Sequence, residues 1–525
     1  MTATADVTYS RLIVDALTAR PDREAFVLGD RRLTYGQTAD LTGRIQQVLA
    51  KHGVGLGVGV ATLSPNMPET WMVQAATYLL GGRYSGLHPL GSVDDHVRLC
   101  ADADIRVIVA HPDFAETAAA VVARAPGVEH VLGLGRTELG EDLLGLADGM
   151  SSIRLNPGPA GPDDVAWLQF TGGTTGEPKG VPNTQRACAA QAQIWLSSYG
   201  VPDRGRYLAS SPITHAALLT ILPTLLRGGT VVLHKGFDPE AWLATVAAER
   251  IDIALMVPTM VSAVLDALRP GHHDLSSMRT LLYGAAPMSR TRIAEAWERI
   301  GPVLRQGYAC SEAGGPIAVL APEDHDPAGP RPELLDSCGR TAIGVRTEIL
   351  DPDGHPVPDG EVGEICVRAP GVMRGYWRRP DLSAQVLKHG WLYTGDMGRR
   401  DEQGYLYLVD RSKDMIISGG FNVYPREVED VLMEHPSLAA AAVIGTPDER
   451  WGEAVRAVVT ARPGVTVSHD ELAAELKALV RRRKGPHYAP KAVDVVDALP
   501  MTPVGKIDKK ALRAPYWTGH TRQVH

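Results

Sequence analysis

A few short segments of this 525-residue chain gather the residue types that hold phosphates, receive flat rings and place charge. The first is Phe170-Thr171-Gly172-Gly173-Thr174-Thr175-Gly176-Glu177-Pro178-Lys179-Gly180. Glycines let backbone N–H groups approach phosphate oxygens closely, and threonine hydroxyls add donors. A flexible surface turn has the same composition, so the segment alone leaves both readings open. It is not a P-loop of the G-x-x-x-x-G-K-[ST] kind, because Pro178 precedes Lys179 and Gly180 follows it.

Gly284-Ala285-Ala286-Pro287 follows an apolar run, and small residues there leave room for a flat ring against backbone. A tight strand-to-helix turn would look the same. Gln306-Gly307-Tyr308-Ala309-Cys310-Ser311-Glu312 offers a ring, a hydroxyl and a carboxylate able to hold Mg²⁺ against phosphates. A lone loop carboxylate is more often simply solvated. Tyr393-Thr394-Gly395-Asp396 sets an acid after a turn, where it can accept from ribose hydroxyls. Asp410-Arg411-Ser412-Lys413-Asp414 reads as a charged bend, and Ser418-Gly419-Gly420 as a hairpin turn. Near the end, Pro500 to Lys510 puts Lys506 on a glycine-containing turn, which by itself describes a surface lysine.

The elements that must position these segments alternate in type. Strands are predicted at 58–63, 105–110, 230–234 and 253–256, an amphipathic helix at 68–80 and a helix at 238–249. Strands at 165–170 and 280–283 lead into the first two segments. This alternation, with short breaks, predicts an α/β architecture with largely parallel sheets. Near Cys338 the texture changes to short strands between turns such as Asp351-Pro352-Asp353-Gly354, with runs at 346–350 and 363–367. After Asp410 a compact α+β unit is expected, with a helix at 426–434 and strands at 440–444 and 454–460. Ser468 with Glu471 forms a capping box opening a further helix. The boundary is therefore drawn as 1–409 and 410–525, with Asp410 at the hinge.

Composition narrows the class. Hydrophobic residues at 44% and charged residues at 22% are ordinary globular usage, which argues against disorder. A net charge of -8 gives no support to nucleic-acid binding. The five cysteines are widely spaced with no C-x-x-C pair, which excludes a zinc ribbon and fits a reducing cytosol. The first residues, Met1 to Asp6, have neither the basic nor the apolar part of a signal peptide. No run reaches the ~18 apolar residues of a membrane span. The expectation is a cytoplasmic enzyme; its oligomeric state is not legible.

Taken together and in this order, the segments resemble the adenylate-forming (ANL) superfamily, and within it the acyl-CoA synthetase (AMP-dependent synthetase and ligase) family. The likeness runs from Leu33-Thr34-Tyr35 to Lys506. It implies a large N-terminal region of two α/β subdomains plus a β-barrel-like subdomain, and a small mobile C-terminal lid. It implies ATP and Mg²⁺, with CoA as co-substrate. Thr171, Gly172, Gly173, Thr174, Thr175, Gly176 and Lys179 would take phosphates, and Gly284, Ala285, Ala286, Pro287, Gln306, Gly307 and Tyr308 the adenine. Asp396 and Arg411 would take the ribose, Ser311 a phosphate and Glu312 the metal. Lys506 matches the catalytic lysine of acid activation. His215, in Pro212-Ile213-Thr214-His215, matches a histidine at the edge of the acyl pocket, near which Ala309 and Cys310 would lie. Ser418, Gly419 and Gly420 match the segment lining the acceptor tunnel, and Arg481 to Lys484 could meet CoA phosphates. The chain departs from the pattern at Gly172 (commonly serine), Gln185 (commonly histidine) and Ala309-Cys310-Ser311 (commonly glycine-x-threonine), so the acid is unusual or unassigned.

The leading expectation is therefore adenylation of a carboxylic acid and its transfer to CoA. A second keeps the adenylation and changes the partners: carrier-protein loading, amide formation, or activation of nitrite for an aryl amine. A third, a non-catalytic relative, is opposed by the presence of Lys506, Glu312 and Asp396.

Overall fold

The apolar runs gather into three sheets in a computed structural model that describes residues 7–171, 179–286, 288–411, 414–418, 421–448, 451–462, 464–465, 467–502 and 506–518, with backbone alone at 410, 411, 421 and 422. The first sheet has seven strands, in the order Glu141–Asp142, His130–Gly133, Ile105–Ala110, Gly59–Leu63, Arg83–Gly86, Val165–Thr171, Lys179–Thr184. All neighbours are parallel except the last pair. Every residue of Gly59–Leu63 is buried, as a strand covered on both faces must be.

The second sheet continues this logic. Leu304–Cys310, Thr280–Gly284, Ile253–Met256, Arg206–Ala209, Thr230–Leu233 and Glu24–Leu28 run parallel side by side. Beyond Leu304–Cys310 the order turns antiparallel through Gly315–Leu320, Gly339–Thr341, Tyr405–Arg411, Trp391–Arg400, Gly363–Arg368 and Arg346–Leu350. The strands expected to form a barrel-like subdomain are thus hydrogen-bonded into this 14-stranded sheet, and no closed barrel occurs among the described strands.

The helix expected at 68–80 spans Pro68–Leu79, and here the sequence reading needs correcting: it is not amphipathic, since all its residues are buried. It lies in the main core with the helix Tyr35–Lys51 against it, so no face meets water. Its one charge, Glu69, is met by Arg31. Tyr35 ties the same region together: its buried hydroxyl donates to the carbonyls of Leu225 (3.0 Å) and Gly229 (2.6 Å). Departing Gln185 is structural as well, its Oε1 accepting from the Ser10 N–H at 2.9 Å and thereby docking the helix Tyr9–Thr18.

From Ile416 onward a separate five-stranded sheet forms around Gly452–Ala461 and Leu438–Asp448, with its own core of Val428, Leu432, Val443, Val455, Leu472 and Leu476. The capping box is present: Ser468 accepts from Glu471 N, and Glu471 reaches back to Ser468 N.

Candidate active site

The strands Val165–Thr171 and Lys179–Thr184 pair antiparallel with Thr171 opposite Lys179. Gly172, Gly173, Thr174, Thr175 and Gly176 lie outside the described residues, but the base of their loop is fixed. Gly180 O accepts from Trp377 N at 2.8 Å, and a Cβ on Gly180 would stand 3.0 Å from Trp377 Cβ. Lys179 Nζ lies 5.1 Å from the centre of the Tyr376 ring, a cation–π distance. Tyr376 then donates its hydroxyl to Glu312 Oε1 at 2.9 Å. Burial first, then the Glu312 charge, pushes the Tyr376 phenol well up, so it stays a donor.

Ser311 and Glu312 sit on one 3₁₀ turn, Ser311–Ala313, between Cys310 and Gly314. Gly314 closes it at φ +64°, where a Cβ would fall 2.0 Å from Gly371 O, so only glycine fits. Met373 N donates to Glu312 O at 2.9 Å. The segment 371–377 therefore holds Glu312 by its main-chain carbonyl and by its carboxylate while holding the base of the loop.

The adenine candidates meet where two parallel strands lie in register, Gly284 opposite Gly307. A Cβ on Gly284 would be 2.4 Å from Gly307 O, and one on Gly307 would be 2.0 Å from the Tyr199 hydroxyl. Ala285 follows at φ +67°, a left-handed conformation uncommon for a residue with a Cβ and a mark of functional turns. Ala286 completes the described turn, and Pro287 lies outside it. Gln306 and Tyr308 are buried, and the Tyr308 hydroxyl donates to Asp396 Oδ2 at 2.7 Å. Asp396 is 8% exposed and stands opposite Arg411 in the antiparallel ladder, with Asp410 opposite Met397. The strand bends there through Gly395 at φ +74°, and Thr394 Oγ1 accepts from Asp396 N.

His215 lies on the turn before the helix Leu218–Leu226, its Nδ1 2.9 Å from Thr214 Oγ1. Burial first, then His88 and the Lys506 ammonium, holds the imidazole down to about 4, so it is neutral at ordinary pH. The charge of Lys506, from the far end of the chain, is thus felt at His215. Lys506 itself is braced by a small hairpin, with Thr502 N donating to Lys506 O at 2.7 Å and Lys506 N to Thr502 Oγ1 at 3.1 Å. Ala309 is exposed and Cys310 half-buried at the end of the Leu304–Cys310 strand.

Ser418 is buried opposite both Phe421 and Gly452; Gly419 and Gly420 lie outside the described residues. In the basic run, Arg483 is paired with Glu434 and Lys484 with Glu427, so half of it is already neutralised. A cavity of about 490 Å³ lined by His52, Arg83, Asp104, Arg106 and Glu129 involves none of these motifs; His52 pairs with Glu141, Arg106 with Glu129 and Asp104 with Arg378, while Arg83 donates to Ala103 O. Sequence reasoning missed Tyr376, Asn66 and His88. In a chain with 6% aromatic residues, the adjacent Tyr376-Trp377 pair was the available signal for the first. The other two act through contacts that no local pattern announces.

A braced loop base at Lys179, an anchored carboxylate at Glu312 and a glycine-walled strand junction at Gly284 and Gly307 carry the sequence pattern of a nucleotide-dependent, AMP-forming ligase. The chain belongs to the AMP-binding enzyme family: the family profile of that description matches residues 14–377, and that of the AMP-binding enzyme C-terminal domain matches 427–506. It is 42% identical over 523 residues to the medium/long-chain-fatty-acid–CoA ligase FadD8 of Mycobacterium tuberculosis, covering 98% of this chain and 91% of the relative. It is 39% identical to a feruloyl-CoA synthase of an Amycolatopsis species, covering 94% and 96%. Among solved structures, the amide bond synthetase McbA of Marinactinospora thermotolerans superposes with a TM-score of 0.87 at 36% identity, over 97% of this chain and 99% of that one. No helix among the described residues is long and apolar enough to cross a membrane.

Proposed function

We propose that this protein adenylates a carboxylic acid with ATP and passes the acyl group to the thiol of CoA. The observation that carries the reading is the likeness to a CoA ligase, 42% identical over 98% of this chain, beside the Lys506 charge felt at His215, a compact positive charge where an acid and an α-phosphate would meet. In the first step a carboxylate oxygen attacks the α-phosphorus and the bond to pyrophosphate breaks. Negative charge grows on the phosphate oxygens, and Lys506 stabilises it. Thr171, Lys179 and the neighbouring loop hold the β- and γ-phosphates, the Gly284–Gly307 junction receives adenine, and Asp396 with Arg411 holds the ribose. Glu312 would hold Mg²⁺, which offsets phosphate charge. The donor set fits: Glu312 is a half-buried carboxylate with Oε1 held by the Tyr376 hydroxyl, and Mg²⁺ normally takes one or two carboxylates, water and phosphate oxygens. We also place the hinge at Asp410 and the protein in the cytosol.

A second reading replaces CoA by an amine. It is favoured by the likeness to an amide bond synthetase over nearly the whole chain. The test is to incubate the protein with ATP, Mg²⁺ and alkyl or aryl acids, with CoA, with amines, and with neither, following AMP, pyrophosphate and product mass. Acid-dependent pyrophosphate release with a thioester mass is expected. An amide mass without CoA dependence selects the second reading, and AMP formation with nitrite and an aryl amine in place of the acid rejects both. Lys506→Ala is expected to slow adenylation by ~10²–10³ while ATP still binds.

A further inference from the structure

The turn that carries His215 is built from the other sheet. Asn66, after the strand Gly59–Leu63, accepts from Ile213 N at 2.9 Å and donates to Ser211 O at 2.8 Å. At the end of the strand Arg83–Gly86 the backbone runs against the same turn: a Cβ on Gly86 would lie 2.8 Å from Thr214 Cβ. Two residues later the His88 ring meets the His215 ring edge to face, with centres 5.1 Å apart. His88 Nδ1 accepts the Leu90 N–H at 3.1 Å, which leaves the ring proton of the neutral form on Nε2. Behind them His96, on the helix Val93–Asp102, is 3% exposed and its Nε2 has no hydrogen-bond partner. The ionisable groups felt by this set are Lys506 at His215, His96 at His88, and Asp95 at His96. A row of three histidines so placed has no evident use in holding nucleotide, and the described residues form no metal-ligating cluster.

We propose that His88 is a positioning residue for acyl transfer: it holds the His215 ring with Nδ1 against Thr214, so that Nε2 takes the proton of the incoming nucleophile. This rests on the reading above that an acyl-adenylate is passed to a thiol or an amine. The nucleophile's lone pair forms the bond to the acyl carbon. The acyl C–O bond to AMP breaks, and its electron pair leaves on the AMP phosphate. The S–H or N–H proton goes to His215 and from the imidazolium to water, so nothing is oxidised or reduced. Burial keeps the His215 ring unprotonated throughout the neutral range and also weakens it as a base, so the proton passes to Nε2 only as attack on the acyl carbon makes the S–H or N–H acidic.

The test uses the full chain and separates the half-reactions. Adenylation is read by acid-dependent ATP–pyrophosphate exchange, and transfer by a single turnover of preformed acyl-adenylate with CoA or an amine between pH 6 and 9. His88→Asn keeps an acceptor for the Leu90 N–H but cannot share a proton; His88→Gln replaces it should the first not fold. Exchange is expected to fall less than ~3-fold. Transfer is expected to fall about 10–100-fold at pH 6–7, the deficit closing by pH 9 as the nucleophile loses its proton unaided. The double variant with His215→Gln should be no slower in transfer than His215→Gln alone. An equal loss in both half-reactions at every pH, or unchanged transfer, overturns the proposal. Absence of acid-dependent exchange in the unaltered protein overturns the ligase reading, and this inference with it.

Discussion

At the scale of single residues the site depends on how its charges are held. Glu312 is a half-buried carboxylate whose orientation is set by the Tyr376 hydroxyl at 2.9 Å and whose backbone is fixed by Met373. Removing that hydroxyl leaves the carboxylate in place but free to rotate. A hydrogen bond to a charged group contributes about 1.5–3 kcal/mol when buried and less at a partly open site. Tyr376→Phe should therefore raise the Mg²⁺ concentration for half-maximal pyrophosphate exchange by several-fold to about tenfold, with kcat at saturating Mg²⁺ nearly unchanged. A Mg²⁺ titration of exchange activity checks this; an unchanged midpoint would mean that Glu312 is not the metal's carboxylate or needs no bracing. Glu312 was singled out in the sequence only through the resemblance of the whole set of segments to a family, since a lone loop carboxylate has a simpler reading. Tyr376 was not, since its partner lies on a distant turn and nothing about its own neighbours fixes where its hydroxyl points.

At the scale of elements, the candidate nucleotide wall is a packing problem between two strands. Thr280–Gly284 and Leu304–Cys310 approach so closely that any side chain at Gly284 meets the Gly307 carbonyl, a backbone group that cannot swing aside. Gly284→Ala must push the strands apart, which should cost about 1–3 kcal/mol by analogy with overpacked cores and raise the KM for ATP at least ~10-fold. Thermal unfolding and the ATP dependence of exchange report the two effects separately, and an unaltered KM would remove this junction from the nucleotide site. Of these strands Thr280–Gly284 was legible, at 280–283, from its apolar run, while Leu304–Cys310 was not, because Arg305, Gln306 and Gly307 interrupt its apolar pattern. The helix Pro68–Leu79 was legible in extent but not in surroundings: its polar residues Thr70, Gln74 and Thr77 suggested a wet face, yet they are buried, Gln74 donating to the Tyr78 hydroxyl and Thr77 to Val73 O. Side-chain pairing between neighbours in space decides that, and periodicity does not record it.

At the scale of the whole molecule, the antiparallel strands from Gly339 to Arg411 extend the second sheet, because backbone pairing of Gly315–Leu320 with Gly339–Thr341 leaves no break at which a separate body could begin. Sequence gave the turn residues between those strands but not their partners, and partner choice is the long-range information a single chain does not display. The same large body buries titratable groups far from chemistry, and these set its response to acid. His325 is fully buried, with Nε2 3.0 Å from the Tyr283 hydroxyl and Nδ1 2.7 Å from Ala321 O, and burial pushes it down to about 4. An unfolded histidine titrates near 6.5, so as pH falls the unfolded chain takes up the proton first. The stability due to the buried neutral ring is complete above pH ~6.5 and is lost as pH falls from there towards ~4, amounting to about 2 kcal/mol by pH 5. His215, also held down to about 4, adds to the loss in the same direction. His325→Gln keeps groups able to bond Tyr283 and Ala321 O but has no proton to gain. It should be less stable than the unaltered protein at pH 7, yet lose about 2 kcal/mol less on going to pH 5, above the range where most carboxylates protonate. Urea unfolding at the two pH values measures that difference, and equal losses in both proteins would show that His325 is charged within the fold and that its burial does not govern the acid limb.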